Sequence, residues 1–218
     1  MGDESVLGSW QEQVAPAHTA LVMVDLQNDF VHPDGWVAKQ QVPGFLGDTG
    51  IAEVVERSRE LLAAARRADV LRVFVRMLGD DRYLSGPWKA LYARNHGHVR
   101  PPCVYEGTWG ADWLDGLGPD GGDREMVVDK HRYSAFIGTR LDLVLRSHAV
   151  RTIVVCGVAT SGCVESTIRD GFMCDYYTVI AGDACGDYET ARHEATLSKM
   201  GLSFGTVVAA DAIVNRWA

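Results

Sequence analysis

Thr152-Ile153-Val154-Val155-Cys156-Gly157-Val158-Ala159-Thr160-Ser161-Gly162-Cys163-Val164-Glu165-Ser166-Thr167 decides the reading of this chain. It opens on an apolar, β-branched run, the pattern of a strand buried on both faces. Small residues follow at Gly157, Ala159, Ser161 and Gly162. Val164 to Asp170 then reads as a helix, with Glu165 and Arg169 four apart and able to pair on its outer face. Cys163 therefore falls where a strand hands over to a helix. Ligands gather at the carboxyl ends of strands in open α/β sheets, and a helix N-terminus offers free N–H groups and partial positive charge. That is the setting for a nucleophilic thiol. A small buried cysteine fits the same position.

Working outward, other apolar runs resemble this one. Thr19 to Val24 reads as a central strand that ends at Asp25. Val70 to Met77 is a second strand, Glu125 to Asp129 a third that ends at Lys130, Tyr176 to Ile180 a fifth that closes on Gly182-Asp183, and Phe204 to Val208 a sixth. Between them, helical spacing of apolar residues covers Ile51 to Arg67, Arg140 to His148, Tyr188 to Met200 and Ala209 to Trp217. Strand alternating with helix predicts a three-layer α-β-α domain around a mainly parallel six-stranded sheet. Residues 1–18 read as an N-terminal arm, in which Trp10 either docks or frays, and residues 19–218 as one domain. The stretch 79–110 breaks the pattern and holds Trp88, Tyr92, His96, His98, Cys103 and Trp109. So long an insertion reads as a functional lid.

The 218 residues suffice for one large α/β domain with a substantial core. A net charge of −8 argues against nucleic acid as a partner. No apolar run reaches the roughly 20 residues of a membrane span. The polar, acidic start has no h-region, and five cysteines without CxxC spacing read as free thiols. Both features predict a cytoplasmic protein. His96 and His98 are too loosely placed to argue for a metal. No GxGxxG follows the first strand and there is no Walker loop, so neither cofactor nor metal is expected.

Asp25, Lys130 and Cys163 each lie just past an apolar strand, and a parallel sheet brings such ends to one edge. A lysine there would hold a carboxylate and a thiolate together. Asp25 would take the thiol proton and return it to a leaving amine. A buried Asp–Lys pair beside an inert cysteine is the plainer alternative, although buried pairs are weak stabilisers. Asp29 is the better candidate for a purely structural carboxylate in the loop after the first strand.

From Thr19 onward the chain resembles the isochorismatase-like cysteine hydrolase superfamily. The motifs are Val24-Asp25-Leu26-Gln27-Asn28-Asp29-Phe30, Lys130 with Tyr133-Ser134-Ala135-Phe136 and Thr139-Arg140-Leu141-Asp142, the Cys163 block with Arg169-Asp170-Gly171-Phe172, and Asp183-Ala184. The resemblance implies a catalytic triad of Asp25, Lys130 and Cys163, a cis peptide between Val158 and Ala159, and an oxyanion hole from the Ala159 and Cys163 N–H groups. Cys163 argues against vinyl-ether hydrolysis, since isochorismatases proper lack it. The stretch 76–83 lacks the Asp-x-His metal motif of nicotinamidases. The nearest likeness is to the ureidoacrylate, biuret and N-carbamoyl amidohydrolases, implying ammonia release from a small linear amide or ureido substrate through a thioester. A maleamate- or nicotinamide-type amidase, or a non-hydrolytic thiol sensor or binding protein, stands as the alternative. Phe30, Trp36, Tyr133 and Phe136 are expected in the pocket wall or the core. Gln27 and Asn28 either touch substrate or tie down their loop. The resemblance also implies a homodimer or homotetramer.

Overall fold

The computed structural model describes residues 6–40, 50–101 and 103–218. Residues 1–5 of the expected arm and Pro102 of the expected lid lie outside them. Six strands form one sheet: β1 (Thr19–Val24), β2 (Leu71–Met77), β3 (Glu125–Lys130), β4 (Thr152–Val158), β5 (Tyr177–Gly186) and β6 (Thr206–Val208). Their order is β3-β2-β1-β4-β5-β6, every neighbouring pair parallel. This is the doubly wound order, with its topological switch between β1 and β4. The helices are α1 (Trp10–Gln13), α2 (Asn28–Val31), α3 (Trp36–Lys39), α4 (Ile51–Arg67), α5 (Gly86–His96), α6 (Leu141–Ser147), α7 (Glu165–Met173), α8 (Thr190–Ser203) and α9 (Ala210–Arg216).

The period of two along each strand divides the core. Leu21 and Met23 of β1 join Val154 and Cys156 of β4 beneath α4 and α9. Ala20, Val22 and Val24 join Ile153 and Val155 beneath α6 and α7. Both faces are thus covered, which is why β1 and β4 are apolar at nearly every position and buried throughout.

Two local readings change, and one that was open is decided. β5 does not close at Gly182-Asp183 but runs ten residues, to Gly186. A register shift against β4 between Val155 and Gly157 absorbs the irregularity, and Asp183 accepts the Ala210 N–H at the start of α9. The stretch 79–110 contains a helix, α5, none of whose residues is buried. A helix that buries no stripe leaves no apolar period to read. The choice left open at Trp10 is settled as docking over the described residues 6–18. Ser9 closes a capping box on α1, Trp10 packs on the core, and the Trp217 indole donates to the Val14 carbonyl at 2.8 Å.

Candidate active site

Asp25 is the residue after β1, Lys130 ends β3, and Cys163 sits in a π-helical turn, Thr160–Val164, between β4 and α7. The parallel sheet delivers all three to its carboxyl edge. Lys130 Nζ lies 2.7 Å from Asp25 Oδ2 and 3.2 Å from Cys163 Sγ, with the Arg132 carbonyl also at 3.2 Å. Lys130 and Asp25 are buried, while Cys163 is partly exposed at the pocket floor. Asp25 has φ +55°, a left-handed conformation that asparagine and aspartate tolerate better than most residues.

Burial raises the Asp25 carboxyl, and Lys130 only partly offsets it. Burial works against the Lys130 ammonium, but the charges of Asp25 and Cys163 outweigh it and hold the proton on. The Cys163 thiol is pushed up to about 12, by burial first and by Asp25 second, against the pull of Lys130. At neutral pH the resting site therefore holds a thiol and an ammonium beside a carboxyl group of raised basicity.

The peptide between Val158 and Ala159 is cis, and Ala159 and Cys163 both line the pocket. Asp187, in the connection that leads to α8, and His193, in the first turn of that helix, pin the turn. Asp187 accepts the Ser161 N–H, and the His193 ring lies 2.9 Å from Thr160 Oγ1.

The pocket has a volume of about 680 Å³, within the range of small-molecule sites. Phe30, Trp36 and Tyr133 line it as expected; Gln27, Asn28 and Phe136 do not. Gln27 is fully buried, donates to the Met77 and Ala111 carbonyls at 3.0 and 2.8 Å, and accepts from the Met77 N–H at 2.9 Å. It ties the loop after β1 to β2 and to the 109–112 turn. Asn28 does similar work, donating to the Trp109 carbonyl. Phe136 packs into the core beneath α6 and α7, 6.0 Å from the Tyr176 ring.

Asp29 holds the Trp36 and Val104 N–H groups at 3.2 and 2.9 Å. The structural role expected of it is what the structure shows.

Tyr92 and His96, named within the expected lid, do line the pocket from α5; sequence reasoning missed Asn95 beside them, and Tyr188, Glu189 and Arg192 around the start of α8. The two α5 rings stand four apart on one helix face, and the others follow a strand's carboxyl end, which was the available signal. His96 lies edge-on to Trp36 at 5.3 Å and Trp88 to Tyr133 at 4.8 Å. These ring contacts seat α5 as one wall. Among the described residues, no three His, Cys, Asp or Glu side chains are grouped to hold a metal.

The isochorismatase domain model matches residues 19–212. The chain is 33% identical to the ureidoacrylate amidohydrolase of Pantoea ananatis, over 84% of this chain and 76% of that protein. It is 33% identical to the one from Serratia proteamaculans, over 94% and 84%. Among solved structures, a cysteine hydrolase from Pseudomonas syringae superposes with TM-score 0.79 at 28% identity, covering 98% of each chain. The N-carbamoylsarcosine amidase of Thermoplasma acidophilum does so at 0.69 and 25%, covering 89% and 97%. Fold and relatives together define a cysteine hydrolase of the amidase type, an enzyme acting on a carbon–nitrogen bond other than a peptide bond. The chain belongs to the isochorismatase family.

Proposed function

We propose that this chain hydrolyses a small linear ureido compound, releasing ammonia, with Asp25, Lys130 and Cys163 as its catalytic residues. The observation that carries the reading is the single ammonium that bridges Asp25 and Cys163 on the pocket floor. Ureidoacrylate is the model substrate, named for relatives at 33% identity.

Cys163 Sγ attacks the terminal carbamoyl carbon as Asp25 takes the thiol proton. The developing oxyanion sits against the Ala159 and Cys163 N–H groups. Asp25 returns its proton to the departing nitrogen; the C–N bond breaks and ammonia leaves, with the acyl group held on Cys163 as a thiocarbamate, the nitrogen-bearing form of a thioester. Water then adds to that carbonyl carbon, giving its proton to Asp25. Collapse breaks the C–S bond, frees the carbamate and restores the thiol. Lys130 keeps its proton throughout and offsets negative charge in each half.

Phe30, Trp36 and Tyr133 form apolar walls on which a flat conjugated substrate packs. The same reading places a homodimer or homotetramer in the cytoplasm, checked by sizing and by cell fractionation.

The deciding experiment is an ammonia-release screen over ureidoacrylate, biuret, N-carbamoyl amino acids, maleamate and nicotinamide. Wild type turns over a ureido substrate, and Cys163→Ala and Cys163→Ser abolish release while retaining the fold by circular dichroism. Turnover by Cys163→Ala at the wild-type rate overturns the mechanism.

A further inference from the structure

Arg192 and Glu189 are the charged residues that α8 and its N-cap bring to the pocket wall. They form an i,i+3 pair, Arg192 Nε to Glu189 Oε2 at 3.0 Å. Both side chains are more than half exposed, at 58% and 51%, and a pair so wet is held weakly.

The placement is locally unfavourable. Arg192 stands in the first turn of a 14-residue helix, where the backbone dipole favours acidic side chains, and no acidic residue occupies that turn. Glu189 is the N-cap residue, yet its side chain makes no capping hydrogen bond and turns to Arg192 instead. Elsewhere in the site the Lys130 ammonium is already engaged by Asp25 and Cys163. His96, the other basic group on the wall, is held below its ordinary pKa by burial and by His98.

We propose that Arg192 is a specificity residue that receives a carboxylate on the substrate, at the end remote from the bond being cleaved. This rests on the ureido-hydrolase reading and deepens it. The substrate class narrows to ureido acids, with uncharged compounds such as biuret disfavoured. The incoming carboxylate replaces Glu189 on a planar donor suited to bidentate recognition. Glu189, released, is free to turn to the first-turn N–H groups of α8. Glu189 then acts as a built-in competitor that an anionic substrate must displace.

Binding tests this apart from catalysis. The Cys163→Ser protein is titrated by calorimetry with 3-ureidopropanoate and with its uncharged methyl ester. The acid binds at least tenfold more tightly. Adding Arg192→Gln removes the preference, and adding Glu189→Gln widens it, because the competitor is gone. Equal binding of acid and ester, no binding of the acid, or a preference that survives Arg192→Gln overturns the proposal. Wild type that releases no ammonia while the acid preference persists overturns the hydrolase reading alone. In steady state the loss in Arg192→Gln falls on KM more than on kcat, since the contact is made equally in ground and transition states.

Discussion

Lys130 Nζ stands 2.7 Å from Asp25 Oδ2 although β3, which ends at Lys130, and β1, which Asp25 follows, are separated by β2. Each is buried, so removing either partner leaves the other's charge uncompensated. Asp25→Asn and Lys130→Met each lose roughly 3–5 kcal/mol of stability, read by urea denaturation, and each abolishes ammonia release. Asp25→Leu combined with Lys130→Met loses less than the sum of the single losses, because no lone charge remains.

The elevated Cys163 thiol, about 12 against an ordinary 9.0, has a sign that can be checked. A group whose pKa is raised by folding stabilises the fold below its unfolded value, and that support is lost as pH climbs through the folded value. Stability from this residue is therefore full below about pH 9 and falls between there and about pH 12. Alkylation of Cys163 by iodoacetamide in the substrate-free enzyme stays slow through pH 9, where an unfolded peptide carrying the same thiol already reacts quickly. Fast alkylation at pH 8, or alkaline stability unchanged in Cys163→Ala, contradicts this.

Gln27 separates a framework role from a substrate contact. Gln27→Leu strands one buried N–H and two buried carbonyls, at about 1–3 kcal/mol for each group left without a partner. The melting temperature drops by several degrees. Were Gln27 a substrate contact instead, KM would rise with the melting temperature unchanged.

Gly157 has φ +121°, and a Cβ there would overlap the Val24 carbonyl of the neighbouring strand. Gly157→Ala has to part β1 from β4 at the point where Asp25 and the turn that carries Cys163 leave the sheet. It loses both stability and turnover, seen as an earlier thermal transition and a fallen kcat. An alanine at Gly86, where nothing lies within 4 Å of the added carbon, leaves the melting temperature within about a degree.

The central strands and the groups at their carboxyl ends were readable because a run buried on both faces is apolar at every position, so a charge at its end stands out. Direction after the strand end was not readable. Tyr133 and Phe136 are three apart on one connection, yet Tyr133 faces the pocket and Phe136 faces the core. Gln27 looked available because its partners lie 50 and 84 residues away in sequence. β5 outran its expected end because Gly182 and Asp183 read as a turn while the sheet kept pairing. α5 was invisible because its pocket face is made of Tyr92, Asn95 and His96, which carry no apolar period.

The switch between β1 and β4 has a consequence for refolding. The thiol stands beside its ammonium only where β4 is paired with β1 and β3 with β2, so the return of turnover during refolding times the closing of the sheet's centre.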